Sequence, residues 1–260
     1  MIQLKNVSFQ YGPEQQVFSR LNLAIHDSSW TVISGPDGCG KTTLGKLIKG
    51  LLKPQSGFIS IKLPQEIEGV RIGYISGDYS TSIVGITVVN DICFGMENIR
   101  TPQTEMQNRL KEVIAAVGLD GYENRLTYTL SGGERQKLAL AGVLAMKARI
   151  LILDEAFSML DWISRKRLRS LIQSLKDQLK LTVIEMTNQA TDIKTADMIV
   201  FIGPTGVPQF EGTREKFLYS EKAQHWIAPQ GGINALMGLF PLDIVDEVQR
   251  LLEKLNVDIK

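Results

Sequence analysis

Cysteine is scarce in this chain, with only Cys39 and Cys93 among 260 residues. The pair follows no metal-ligand or redox spacing, a chain of this length needs no disulfide or metal staple to fold, and so few thiols suit a reducing compartment. An excess of charge is also missing: 29 basic and 28 acidic residues leave a formal net charge of +1, spread along the chain with no long basic block. That balance argues against nucleic acid as a partner. No apolar run approaches the ~18 residues that span a bilayer, and Met1-Ile2-Gln3-Leu4-Lys5 carries no signal-peptide core. If the protein serves a membrane, other chains are expected to supply the membrane part. Internal repeats and low-complexity segments are absent as well. What remains is a chain long enough to bury a substantial core in one large α/β domain, with room for a smaller attachment.

Patterning supplies the outline. Alternation through Val7, Phe9 and Tyr11, then a second β-rich run over residues 17–25, predicts a small antiparallel subsheet. Residues 30–34 form a short strand-like run that stops at a Gly-rich loop, and residues 42–51 read as a helix. Further strands are expected over 57–61 and 70–75, followed by helices over 87–98 and 103–117, a helical insertion in mid-chain. A helix from Glu134 leads to the apolar run 149–153, which reads as a buried parallel strand. The pattern then repeats as helix 164–179, strand 181–185 and strand 198–202. Such alternation predicts a mostly parallel sheet covered on both faces. The tail after Gly212-Thr213 reads as interrupted helix, with a break at residues 228–232 and a last helix from near Pro241. Val245, Val248, Leu252 and Leu255 would line one face of that helix, against the chain's own core or against another subunit.

Gly35-Pro36-Asp37-Gly38-Cys39-Gly40-Lys41-Thr42 fits G-x-x-x-x-G-K-[ST] between a predicted strand and a predicted helix, the context this phosphate-binding motif requires. Glycines at 35, 38 and 40 let successive backbone N–H groups converge on phosphate oxygens at a helix N-terminus. Lys41 would place a point charge on the β- and γ-phosphates, Thr42 would offer a hydroxyl to Mg²⁺, and Thr43 would reach the α-phosphate. Cys39 is expected to point away from the phosphates as a small filler. The strand ending in Asp154-Glu155 sets two carboxylates where open α/β sheets present ligands. Asp154 would hold Mg²⁺ through water, and Glu155 would polarise the water that attacks the γ-phosphate. Leu130-Ser131-Gly132-Gly133-Glu134-Arg135-Gln136 then looks like a second anion cradle at a helix start, although Ser-Gly-Gly-Glu as a lone motif is also explained by a helix cap.

With these three motifs in order, the sequence resembles the ABC transporter ATPase family over about residues 1–220. The resemblance implies a P-loop NTPase, RecA-like parallel core with an antiparallel β subsheet, a helical subdomain at about 78–147, and a helical extension at 221–260. It also implies that the cradle of Ser131, Gly132, Gly133 and Glu134 closes over ATP held by a partner's phosphate loop. Asp161, in Ser158-Met159-Leu160-Asp161, looks like part of the family's D-loop at that interface. Tyr11 stands where an aromatic stacks on adenine, although a strand aromatic in a hydrophobic cluster explains it too. The run through Ile72-Gly73-Tyr74, residues 83–88, Asp91 and residues 94–98 is similar to the ATPases of energy-coupling-factor importers of vitamins and transition-metal ions. Such systems pair two ATPases with a transmembrane scaffold and a membrane substrate-binding protein, at the cytoplasmic face of the membrane.

Two positions depart from the family pattern. Gly77 stands where a glutamine normally contacts Mg²⁺ and the attacking water, and Asn188 stands in place of a switch histidine. Asn188 still donates a hydrogen bond but has shorter reach and carries no positive charge. Phosphoryl transfer depends on positioning and charge stabilisation, so these losses are expected to slow chemistry more than binding. The expectation is therefore an MgATP-binding subunit, weakly hydrolytic in its own site and partnered by a different ATPase. The alternatives are an ordinary homodimeric importer ATPase, in keeping with the retained Glu155, and a soluble ABC ATPase of DNA repair or translation.

Overall fold

The structure, a computed structural model, describes residues 1–62, 72–78, 82–221, 223 and 226. The strand expected from residue 70 is described from Ile72, while the break at 228–232 and the helix expected near Pro241 lie outside the described residues.

Strands β1 (Ile2–Gln10), β2 (Gln16–Ile25) and β4 (Ser56–Ile61) form an antiparallel sheet in the order β2-β1-β4. The third member was not assigned to this sheet from sequence. The main sheet runs β5-β6-β7-β3-β8-β9, built from β3 (Trp30–Ser34), β5 (Ile72–Ser76), β6 (Ile150–Asp154), β7 (Thr182–Thr187), β8 (Met198–Ile202) and β9 (Pro208–Thr213). All its pairings are parallel except β8 with β9.

Alternate residues of the central strands enter two separate cores, as burial on both faces requires. Ile150 and Ile152 of β6 face one core together with Ile184, Val200, Ile202 and the apolar side of the antiparallel sheet. Leu151 and Leu153 face the other, with Val183, Ile199 and the helices of the middle of the chain. Each such side chain, fully buried, contributes about 1.5–3 kcal/mol relative to exposure.

Helix α1 (Lys41–Lys49) follows the Gly-rich loop and lies against β5, β6 and β7. It is closed by Gly50, whose φ of +83° turns its N–H back onto the carbonyls of Lys46 and Leu47. Helices α2 (Val88–Asn98), α3 (Gln103–Val117) and α4 (Gly132–Ala145) pack on one another, and α4 also touches β5 and α5 (Trp162–Leu179). Thr87 caps α2 by accepting from the Asn90 amide, and Asp161 caps α5 by accepting from Ile163 and Ser164. A short α6 (Arg214–Leu218) sets Phe217 against Phe201, Phe210 and Trp226.

Candidate nucleotide site

The loop between β3 and α1 is held open by conformations that side chains resist. Gly40 has φ +104°, and a Cβ there would meet Val17 at 2.6 Å and Phe18 at 2.8 Å. At Gly35, with φ +152°, a Cβ would lie 2.2 Å from the carbonyl oxygen of Ile202. Lys41 is 6% exposed, and its ammonium donates to the carbonyls of Gly35 (2.9 Å) and Pro36 (3.1 Å). The loop therefore wraps around a buried cation at a helix start, a donor set that fits a polyphosphate. Cys39 fills the core beneath it at 1% exposure, and burial pushes its thiol pKa up against the opposing charge of Lys41.

Strand order brings the acidic end of β6 to this loop. Thr42 Oγ1 donates to Asp154 Oδ1 at 3.0 Å, joining residues 112 positions apart. A hydroxyl and a carboxylate oxygen at that spacing are hard donors suited to Mg²⁺. The other oxygen, Oδ2, accepts from the phenol of Tyr74 at 2.5 Å, a contact the sequence reading did not anticipate. Glu155 takes a φ of +50°, uncommon for a residue with a side chain, and its side chain is exposed just past the strand end.

Tyr11 is 51% exposed, meets Phe9 edge-on at 5.0 Å, and shares a hydrogen bond of 3.1 Å with Thr43 Oγ1. It thus stands beside the first turn of α1 with much of its surface in solvent. At the other rim, Asn188 Nδ2 donates to Asp37 Oδ1 at 3.2 Å, so the position after β7 contacts the phosphate loop itself. Gly77 N donates to the Asp154 carbonyl at 2.9 Å, and a Cβ at Gly77 would lie 2.7 Å from the Glu155 carbonyl oxygen and 2.9 Å from Ser158 Oγ. The space beside this glycine is occupied by the acidic segment.

Ser131 opens α4 with a capping box: its hydroxyl accepts from the Glu134 amide, and the Glu134 carboxylate accepts from the Ser131 amide at 2.7 Å. That amide holds the Glu134 carboxyl below its ordinary range. Gly132 and Gly133 form the first helical residues, near Leu160 and Ser164 of the segment that carries Asp161. Asp161 is fixed as the cap of α5, and its hydrogen bonds to Ser164 lower its pKa. Gln136, 1% exposed, donates to the Ala156 carbonyl at 2.7 Å and so ties α4 to the residue after Glu155. Its burial beneath the acidic segment was not legible from its place in the motif.

The phosphate loop, Asp154 and Glu155 thus share one edge of the sheet with Tyr11, Gly77 and Asn188. Comparison with known proteins agrees with this arrangement. The ABC transporter family matches residues 18–158. The chain is 38% identical over 209 residues to the energy-coupling factor transporter ATP-binding protein EcfA1 of Ligilactobacillus salivarius, covering 78% of this chain and 74% of that protein. It is 37% identical over 232 residues to the EcfA1 protein of Leuconostoc mesenteroides, covering 86% and 85%. Its fold matches that of CbiO1 from Clostridium perfringens, part of the ABC transporter complex CbiONQ, with a TM-score of 0.75 at 23% identity over 88% of this chain and 95% of that one. On motifs, fold and similarity together, the chain belongs to the ABC transporter ATPase family, within its energy-coupling-factor branch.

Proposed function

We propose that this chain is one of two different ATPases that drive an energy-coupling-factor importer for a vitamin or a transition-metal ion. It would sit at the cytoplasmic face of the membrane on a transmembrane scaffold, beside a membrane substrate-binding protein. The EcfA1 relatives support that assignment. So does the lack, among the described residues, of any helix long and apolar enough to cross a membrane. In this reading residues 1–220 are the nucleotide-binding unit, with a helical part at about 78–147, and residues 221–260 are an extension.

The geometry supports the following roles. Lys41 exchanges its carbonyl partners for β- and γ-phosphate oxygens, while the amides from Gly35 to Thr43, those of Asp37, Gly38, Cys39 and Gly40 among them, surround the phosphates. Tyr11 lies against the base. Thr42 and Asp154 would hold Mg²⁺, which neutralises charge developing on the phosphates. Glu155 accepts the proton of the attacking water. Ser131, Gly132, Gly133 and Glu134 face the nucleotide of the partner ATPase, with Asp161 beside the boundary. Closing on nucleotide moves the membrane subunits, because the closed pair binds it more tightly than the open pair.

The observation that carries slow turnover in this chain's own site is the neighbourhood of Gly77. It presents no side chain, and the Glu155 carbonyl occupies the place where one would begin. Asn188 can still donate a hydrogen bond but carries no positive charge, and one of its two amide N–H groups is given to Asp37. Loss of a single comparable donor typically lowers rate by about 10²–10³. The test is to purify the tagged chain from membranes in mild detergent, identify its companions, and compare turnover alone and in complex. A second ATPase with small membrane proteins, and slow turnover by the isolated chain, is the expected result. Full-rate cooperative hydrolysis by the chain alone would establish the ordinary homodimer, and ribosomes or DNA-repair factors as companions would overturn the importer.

A further inference from the structure

We propose that Tyr74 is a positioning residue for the divalent cation that accompanies the nucleotide, acting through Asp154. The inference rests on the reading of Asp154 as a cation-holding group.

The argument begins with register. In the parallel pair β5–β6, Tyr74 lies opposite Ile152 and Ser76 opposite Asp154. Paired residues share a face and so do residues two apart, which puts Tyr74 and Asp154 on the same side of the sheet, facing α1. One step back along the strand, the long phenol side chain spans the interval that a Phe or Leu could fill but not bridge. Its hydroxyl donates to Asp154 Oδ2 at 2.5 Å, while Thr42 Oγ1 donates to Oδ1 at 3.0 Å. The carboxylate is therefore gripped from two elements at once, and rotation about its terminal torsion would break one bond or the other.

The ring has a prepared berth. A Cβ at Gly45 of α1 would lie 3.3 Å from Tyr74 Cε2 and 2.3 Å from Met186 Cε, so the absence of a side chain there is what lets ring and helix approach. Tyr74 is partly buried against the core that contains Ile152 and Met186. Partners of this kind orient a metal's ligands, and their loss typically costs 10–100-fold in metal affinity.

The test uses the full chain and its Tyr74→Phe variant, which keeps the ring and removes the donor. Fluorescent-ATP binding is measured in EDTA and across a Mg²⁺ titration, Mn²⁺ bound with nucleotide is followed by electron paramagnetic resonance, and thermal midpoints are recorded alongside. The expected result is nucleotide affinity in EDTA within about twofold of the parent and a cation half-saturation raised about tenfold. If the parent responds to cation and Tyr74→Phe matches it within twofold, the positioning role is overturned while the reading of Asp154 survives. If the parent itself binds no cation with its nucleotide, both fall. If Tyr74→Phe loses EDTA-state affinity and thermal stability together, the residue is merely structural and the proposal is wrong.

Discussion

Substituting Gly77 by glutamine, the residue the family resemblance would place there, is expected to damage this protein before it repairs anything. A Cβ at position 77 would approach the Glu155 carbonyl oxygen to 2.7 Å and Ser158 Oγ to 2.9 Å. Ordinary contact begins near 3.5 Å, so the neighbours must yield by roughly half an ångström or more. Ser158 can rotate away. The carbonyl cannot, because the backbone around Glu155 is tied by the Glu155 amide to the Met186 carbonyl (2.9 Å) and by the Ser158 amide to the Glu155 carbonyl (3.0 Å). Overpacking of that kind costs about 1–3 kcal/mol, equivalent to a fall of roughly 2–10 °C in thermal midpoint for a domain of this size. Both Gly77→Ala and Gly77→Gln introduce the offending atom, so urea unfolding of the two variants should show similar losses. Parent-like stability, within about 0.5 kcal/mol, in both variants would refute the claim that the acidic segment occupies this space. The comparison also bears on rescue: a gain in turnover from Gly77→Gln with Asn188→His is interpretable only alongside the stability of each variant.

Three further outcomes are expected. A thiol reagent at neutral pH should modify Cys93, which is partly exposed, well before Cys39, which is 1% exposed; mass spectrometry of a quenched time course showing equal rates would contradict the buried placement. Burial pushes the Glu185 carboxyl from 4.5 up to about 8 despite the opposing charge of Arg169. The native state then holds the proton more tightly, so its contribution to stability is full below about 4.5 and drains as pH rises through about 8. Urea unfolding from pH 5 to 8.5 should reveal this decline, and Glu185→Gln should flatten it; parallel curves would refute it. Finally, Ser131→Ala removes the α4 cap and should lower stability by about 1 kcal/mol, with an unchanged urea midpoint counting against the capping box.

Much of the site was legible because it is local. The phosphate loop, the acidic strand end and the Ser131 cap each depend on residues adjacent in sequence, so their chemistry follows from spacing. The contacts between Tyr74 and Asp154, between Asn188 and Asp37, and between Gln136 and the Ala156 carbonyl were not, since each depends on how elements stack. In the fold, β9 escaped notice because it opens with Pro208, contains Gly212 and never becomes buried. Those are marks of an edge strand, which pairing with β8 stabilises more than its own propensity does. The subsheet was half read for a different reason: residues 57–61 were expected as a strand, but their pairing with β1, through a bend at Gly57 with φ +77°, depends on a distant partner.

The placement of β7 between β6 and β3 has a mechanical corollary. Thr42 and Asp154 reach each other across its tip, and the segment leaving that tip carries Asn188. Sliding β7 along its axis would break ladder bonds with both neighbours at once, so position 188 is indexed to the nucleotide loop as firmly as a tooth between two racks. Exchanging the residue there changes which group is offered and leaves its address alone.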